Sequence, residues 1–226
     1  MHYSSAHKEN QNENAVNNNV FKLFDNVTEE IYLTDTPTVQ EMKDLFGLRA
    51  EVFCRELAWV GNPDDKTEID DFDYTCTHIG GFVNDNAVGY LRVHPYKSSW
   101  MLNTIFADVL LDSTPVPQHS NACEVSRLLI KNDYRGSKCV EDKTLLTHLL
   151  SDLYIHCKSN KIRYVYMVVT PVTLAVLARH GLKATPLCDS KVMADGCKAL
   201  AAVLDWESVT RIGPAQKIAR GARSEF

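Results

Sequence analysis

Nine residues, Ala122–Ile130, reading Ala-Cys-Glu-Val-Ser-Arg-Leu-Leu-Ile, constrain this chain more than any other stretch. They have the length and apolar content of a buried strand, yet carry a carboxylate at Glu124 and a guanidinium at Arg127. Charges inside such a strand are costly unless each has a partner or a ligand. Residues three apart in a regular strand point to opposite faces, so Glu124 and Arg127 serve one cleft only if the pleat is broken. The pattern therefore predicts a β-bulge in this strand.

The rest of the chain is read outward from it. A strand is expected at 29–34, followed by a helix over 39–57 with Thr38 as its N-cap. Met42, Leu45, Phe46, Val52 and Phe53 form the apolar stripe of that helix, and Arg49 falls inside it. Such an arginine either snorkels or pairs with a carboxylate, or it is aimed at an anionic ligand group. The run Glu68-Ile-Asp-Asp-Phe-Asp is a dense acidic cluster, which by itself reads as a solvated loop. Segments 78–84 and 87–94 around Asn84-Asp85-Asn86 read as a hairpin, with Val88, Tyr90 and Arg92 on one face. A short amphipathic segment carrying Phe106 spans 101–111. A polar loop over 131–138 precedes a helix over 143–159, whose stripe is Leu146, Leu149, Leu150, Leu153 and Cys157. The most strand-like run, 163–170, ends at Pro171. A helix over 172–180 is capped by Gly181, and closing strands fall at 182–187 and 199–205 around a loop with Asp195-Gly196. This order argues for a mixed α+β arrangement, a sheet with helices on its faces. The helix between 122–130 and 163–170 makes those strands a parallel pair joined by a right-handed crossover. If their ends splay, a cleft opens beside Glu124.

Composition narrows the classes. With 226 residues, 45% of them apolar, the chain suits one sizeable core, expected over 21–226 behind a polar leader, 1–20, read as disordered. A net charge of −5 gives no global basic field for nucleic acid or an anionic membrane, and no window has the ~18 apolar residues of a membrane span. Seven cysteines without a Cys-x-x-Cys pair fit reduced thiols in the cytoplasm, and the eight scattered histidines lack the company of a metal site. One segment departs from the overall charge. Between Lys131 and Arg163 there are seven Lys and Arg against four acids. Lys131, Arg135, Lys138 and Lys143 there form either a solvated face or a dock for an acidic partner or a phosphate.

Five pieces taken together, Leu48-Arg-Ala-Glu-Val-Phe53, Leu57-Ala-Trp59, Glu68-Ile-Asp70-Asp-Phe-Asp73, Gly89-Tyr-Leu-Arg92 and Glu124-Val-Ser-Arg127, resemble the acyl-homoserine lactone synthases of the autoinducer synthase family. The likeness continues through the strand–helix–strand pattern to about Gly181. It implies an acetyltransferase-like (GNAT-type) fold with a V-shaped cleft between two central parallel strands. It also implies a reaction between S-adenosylmethionine, as substrate and not cofactor, and an acyl thioester on acyl carrier protein or coenzyme A. Two departures stand out: Leu128 where the family often has Phe, and the long polar opening.

In that reading the amine of S-adenosylmethionine attacks the thioester, and the methionyl carboxylate then displaces methylthioadenosine to close the lactone. The attacking amine must be neutral, and Glu124 is the expected base, with Arg127 beside it. A sulfonium has no hydrogen-bond donors, so Trp59 and Phe53 are candidate aromatic hosts, and Phe106 is expected among the S-adenosylmethionine-binding residues. Arg49, Arg92, Asp70 and Asp73 would meet the ligand or pair among themselves. Backbone N–H groups freed around Val125–Ser126 would meet the oxyanion. Ser126, Leu128, Met167, Val169 and Leu174 are the expected acyl-pocket residues. Family members that prefer 3-oxo chains often carry threonine where Met167 falls, so an unsubstituted chain is expected. Two other readings remain: an N-acyl amino acid synthase or other acyltransferase using an ordinary amine, and an idle relative that binds acyl thioesters as a regulator.

Overall fold

The computed structural model describes residues 19–22, 30–110, 115–136, 143–212 and 216–217. The expectation of a disordered leader, and Lys138 of the basic segment, lie outside those residues save for Asn19 and Val20.

Strands β1 (Asn19–Lys22), β2 (Glu30–Thr34), β3 (Thr77–Val83), β4 (Asn86–Pro95), β5 (Ala122–Ile130), β6 (Tyr164–Val169), β7 (Thr185–Pro186), β8 (Lys191–Val192) and β9 (Lys198–Asp205) form one sheet. Its order is β1-β2-β3-β4-β5-β6-β9-β7, with β8 hairpinned onto β9. Among the described pairs in this sheet, β5–β6 alone is parallel, as the intervening helix α2 (Leu145–Ser159) requires. That pairing covers only Ala122–Val125 against Tyr164–Met167, and beyond it the two strands part. The expected cleft between the central parallel strands is this divergence.

Helix α1 (Val39–Arg49) starts at Thr38, whose hydroxyl accepts the Glu41 N–H while the Glu41 carboxylate accepts the Thr38 N–H, a reciprocal cap. The expected single helix over 39–57 is corrected in its second half. Ala50–Glu56 is wound as a π-helix, with Leu57 N–H reaching the Val52 carbonyl. The sequence explains it: Val52, Phe53 and Cys54 are all buried, and a wider turn brings three successive side chains inward where an α-helical stripe cannot. Helix α3 (Pro171–Arg179) opens at the Thr170 cap, with Pro171 where its missing N–H costs nothing. The strand expected at 182–187 shrinks to Thr185–Pro186 at the sheet edge, since Pro186 has no N–H to extend the ladder. The segment expected as amphipathic over 101–111 is two short 3-10 turns, Met101–Asn103 and Ala107–Val109.

The core divides by sheet face. On one face α2 packs Leu149, Leu150, Leu153 and Cys157 against Leu91, Val93, Cys123, Val125 and Met167. On the other, Leu45, Leu48, Val52 and Phe53 cover Tyr90 and Leu129. The site grows from this second face.

Candidate functional site

Antiparallel pairing of β4 with β5 sets Arg92 opposite Ser126 and His94 opposite Glu124. Side chains alternate along a strand, so these four lie on one face. The expected bulge is present but falls later than Val125–Ser126. Register shifts between the Tyr90–Leu129 and Arg92–Ser126 pairs, leaving Arg127 and Leu128 opposite Leu91 alone. Arg127 takes φ 57°, the left-handed region. The break brings Arg127 onto the face of Glu124 and Ser126, and it sends Leu128 to the α2 core while Leu129 returns to the other.

Three arginines and three acids interlock there. Arg49, on α1, donates from Nε to Glu68 at 2.6 Å and from Nη1 to Asp73 at 2.6 Å. Arg92 reaches Asp73 at 2.7 Å and Asp70 with both terminal nitrogens. Arg127 grips Glu68 at 2.9 and 3.2 Å and Asp70 at 3.1 Å. Each guanidinium also stacks on a ring: Arg49 on Phe46 and Tyr90, Arg92 on Phe72, and Arg127 on Phe53. Burial pushes the Asp70 and Asp73 carboxyls up, but hydrogen bonds and charge from Arg92 and Arg49 outweigh it and hold both below the usual range. Of the two readings for Arg49, pairing with carboxylates is the observed one. The acids are set by a 3-10 turn, Asp71–Thr75, in which Asp70 caps the Phe72 N–H and Asp73 accepts the Asp70 N–H.

Glu124 stands apart from the arginine network. Its carboxylate accepts the Met101 N–H at 2.6 Å and the Leu102 N–H at 2.9 Å, and it is 1% exposed. Burial raises its pKa to about 7, against the two amides and Arg92, which lower it. A carboxylate poised near neutrality can take or return a proton, and its oxygens keep lone pairs beyond the two used. The expectation of a base open to a cleft is thereby modified, because the Met101–Leu102 turn covers it.

The aromatic candidates separate. Phe53 is buried with Arg127 over its ring at 5.3 Å, and Trp59 tilts against it at 6.1 Å. Trp59 is 38% exposed and donates its indole N–H to Cys197 Sγ at 3.2 Å, linking the 57–60 turn to the β8–β9 hairpin. Phe106 joins the cluster of Trp100, Leu102 and Tyr166, and its N–H donates to the carbonyl of Met101, in the turn that covers Glu124.

Leu128, Met167, Val169 and Leu174 all pack into the α2-side core. Ser126 does not join them, which corrects its place in the acyl-pocket set: the pleat turns its hydroxyl to the opposite face, on Arg92 Nε at 3.0 Å and His94 Nε2 at 2.8 Å. In the basic segment Arg135 is held by Glu56, and Lys131 lies 3.7 Å from Glu51. The π-helix therefore offsets part of the local excess.

Several residues of the cluster fall outside the site residues expected from the sequence. Glu68 joins Arg49 to Arg127, and counting three arginines against two named acids would have pointed to it. His78 bridges the Tyr90 hydroxyl (2.7 Å) and the Asp73 carbonyl (3.0 Å), and His94 shares the Arg92 face by simple alternation. The backbone of Met101 and Leu102 left no sequence signal.

Known proteins resemble this chain in sequence and in fold. Residues 35–212 match the model of the autoinducer synthase family. An acyl-homoserine-lactone synthase from Aliivibrio fischeri is 27% identical over 143 residues, 60% of this chain and 69% of that protein. Among solved structures, the AHL synthase LasI superposes with a TM-score of 0.66 at 19% identity, covering 84% of this chain and 98% of its own. The CoA-dependent acyl-homoserine lactone synthase BjaI, with MTA, also gives 0.66 at 19% identity, over 82% and 90%. At these identities the two structures speak for the fold.

Proposed function

The chain belongs to the autoinducer synthase family, and from that premise we propose that it makes an acyl-homoserine lactone from S-adenosylmethionine and an acyl thioester, with the two substrates entering from opposite faces of the sheet. One observation supports this reading: Arg92, Glu124, Ser126 and Arg127 lie on one face of the β4–β5 pair while Leu128 and Met167 pack on the other, beside the point where the β5–β6 pairing ends.

On the polar face, Arg49, Arg92 and Arg127 against Glu68, Asp70 and Asp73 give a preorganised, charge-balanced wall for a ligand that is itself a cation and a zwitterion. Such a wall needs no rearrangement when the ligand arrives. Trp59, 38% exposed and packed against Phe53 beside it, offers a face to the sulfonium. On the apolar face, Leu128, Met167, Val169 and Leu174 receive the acyl chain, with α2 as floor. Met167 offers no hydroxyl to a 3-oxo group, which favours an unsubstituted chain.

Glu124 lies at the junction. In the first half-reaction the amine nitrogen forms a bond to the thioester carbon, the thiolate leaves, and the amine proton passes to Glu124, directly or through one water. The Met101–Leu102 turn is the part that must yield. In the second half-reaction the methionyl carboxylate attacks its own γ-carbon, and methylthioadenosine departs as a neutral thioether. The donor is an acyl carrier protein or coenzyme A, and the basic segment from Lys131 through Arg135 and Lys138 to Lys143 favours an acidic carrier. Residues 21–226 act as one acyltransferase unit in this reading.

The test is to incubate purified protein with S-adenosylmethionine and a set of acyl thioesters and to follow lactone and methylthioadenosine together. Equal release of both supports the assignment. Acylated product without methylthioadenosine points instead to an N-acyltransferase using an ordinary amine.

A further inference from the structure

His94 is fully buried, two residues from Arg92 and diagonal to Ser126 on the polar face, with Phe72 edge-on to its ring at 5.6 Å. Its two nitrogens meet different partners. Nδ1 faces the Ser99 carbonyl oxygen at 3.4 Å, and Nε2 lies 2.8 Å from Ser126 Oγ. A carbonyl can only accept, so Nδ1 carries the proton and a neutral ring presents a bare Nε2. Burial and the charge of Arg92 keep the ring neutral, with its pKa pushed down to about 3. Ser126 must then donate its hydroxyl proton to His94, while one lone pair accepts Arg92 Nε–H at 3.0 Å.

We propose that His94 is a positioning residue that locks the Ser126 hydroxyl as a pure hydrogen-bond acceptor, its remaining lone pair turned toward an N–H of the attacking amine. A serine hydroxyl has one donor and two lone pairs, and the donor and one lone pair are already committed. An acceptor-only oxygen suits an amine N–H and repels a carbonyl. Ser126 and Glu124 lie two residues apart on one strand face, about 7 Å along the strand, so a nitrogen between them is within reach of both. Ser126 orients the amine while Glu124 takes its proton. A serine–histidine contact also suggests a nucleophile and its base. That role requires the ring to accept the hydroxyl proton as Oγ attacks, and a buried ring beside Arg92 resists the charge.

The inference rests on the lactone synthase reading, and a mutant cycle on the full chain tests it. His94→Leu and Ser126→Ala should each lower kcat/KM for S-adenosylmethionine roughly tenfold, as expected for one lost hydrogen bond in a buried site, with KM for the acyl donor unchanged. The double variant should fall no further than Ser126→Ala alone, and His94→Gln, whose carbonyl can take the Ser126 proton, should recover most of the rate. Independent, multiplying losses would overturn the proposal. Should His94→Leu fail to fold, ring nitrogen NMR on the wild type decides: a protonated Nδ1 and bare Nε2 are expected, and the opposite tautomer overturns it. A wild type that releases no lactone refutes the functional reading instead, and the NMR result still judges the tautomer.

Discussion

Arg127 holds Glu68 through two hydrogen bonds, of 2.9 and 3.2 Å, from a backbone at φ 57° that few non-glycine residues adopt. The strained backbone and the paired side chain belong together, because without the bulge the guanidinium would point into the α2 core. Arg127→Lys keeps a charge but loses the planar fork that spans Glu68 and Asp70. We expect it to fold, with thermal stability down by about 1 kcal/mol and kcat/KM down about tenfold or more. Calorimetry and steady-state kinetics on one preparation check this, and unchanged kinetics would remove Arg127 from the site.

Glu124→Gln removes the proton acceptor and should lower kcat by about a hundredfold or more. In the wild type, the acid limb of kcat/KM for the acyl donor should centre on the carboxylate's pKa of about 7, activity rising as pH rises through it. A profile flat from pH 6 to 8 would contradict a base at this position.

Met167→Thr trades a thioether for a hydroxyl in the α2-side core proposed to line the acyl chain. Relative kcat/KM for 3-oxo over unsubstituted donors should rise about three- to tenfold, while the buried cavity costs about 1–3 kcal/mol of stability. Competition between two isotopically distinct donors measures the ratio directly.

Charge reversal at Lys138 and Lys143 together should slow turnover with a carrier-borne donor about fivefold at low salt, the difference closing as salt rises, because steering acts on encounter. Binding of S-adenosylmethionine, followed by calorimetry, should not change. Equal rates with carrier-borne donor before and after reversal would place the dock elsewhere.

His94 gives the fold an acid weakness. Its pKa is about 3 when folded against an ordinary 6.5. Below pH 6.5 the unfolded chain binds a proton that the folded chain refuses, so stability falls with acid by up to about 1.4 kcal/mol per pH unit. Glu124 works in the other direction, its raised pKa costing stability as pH climbs from 4.5 through about 7. His94→Gln should therefore lose less stability than the wild type between pH 6.5 and pH 5, as urea midpoints will report. A parallel loss in both proteins would mean that the ring is charged when folded.

The strand arrangement was legible because its signals are local. Alternation around Asn84-Asp85-Asn86 marked the β3–β4 hairpin, and two charges three apart in an apolar run required a bulge. The bulge's exact position was not legible, since it depends on how Leu91 pairs across β4. That three arginines gather with Asp70 and Asp73 was legible from five short motifs, but the pairings among them were not. Which acid meets Arg49 depends on the path of the 57–70 turn, and charge alone does not set Glu68 apart from Asp71, which lies between the capping pair Asp70 and Asp73. Ser126 was misplaced for a simpler reason: two residues from Glu124 it shares that residue's face, and alternation alone would have put it there. The Met101–Leu102 amides are main-chain donors, and any residue but proline could have supplied them.

The π-wound stretch Ala50–Glu56 sets a phase for everything downstream of it. Rewinding it at unchanged length with 3.6 residues per turn would swing each later side chain by more than about 100°. Trp59 would leave Phe53 and lose Cys197, while Arg49, upstream, would stay with its acids. Winding at this point is thus a control separate from side-chain identity: the same length of chain wound as plain α-helix could keep every charged residue of the site and still lose the aromatic surface proposed for the sulfonium.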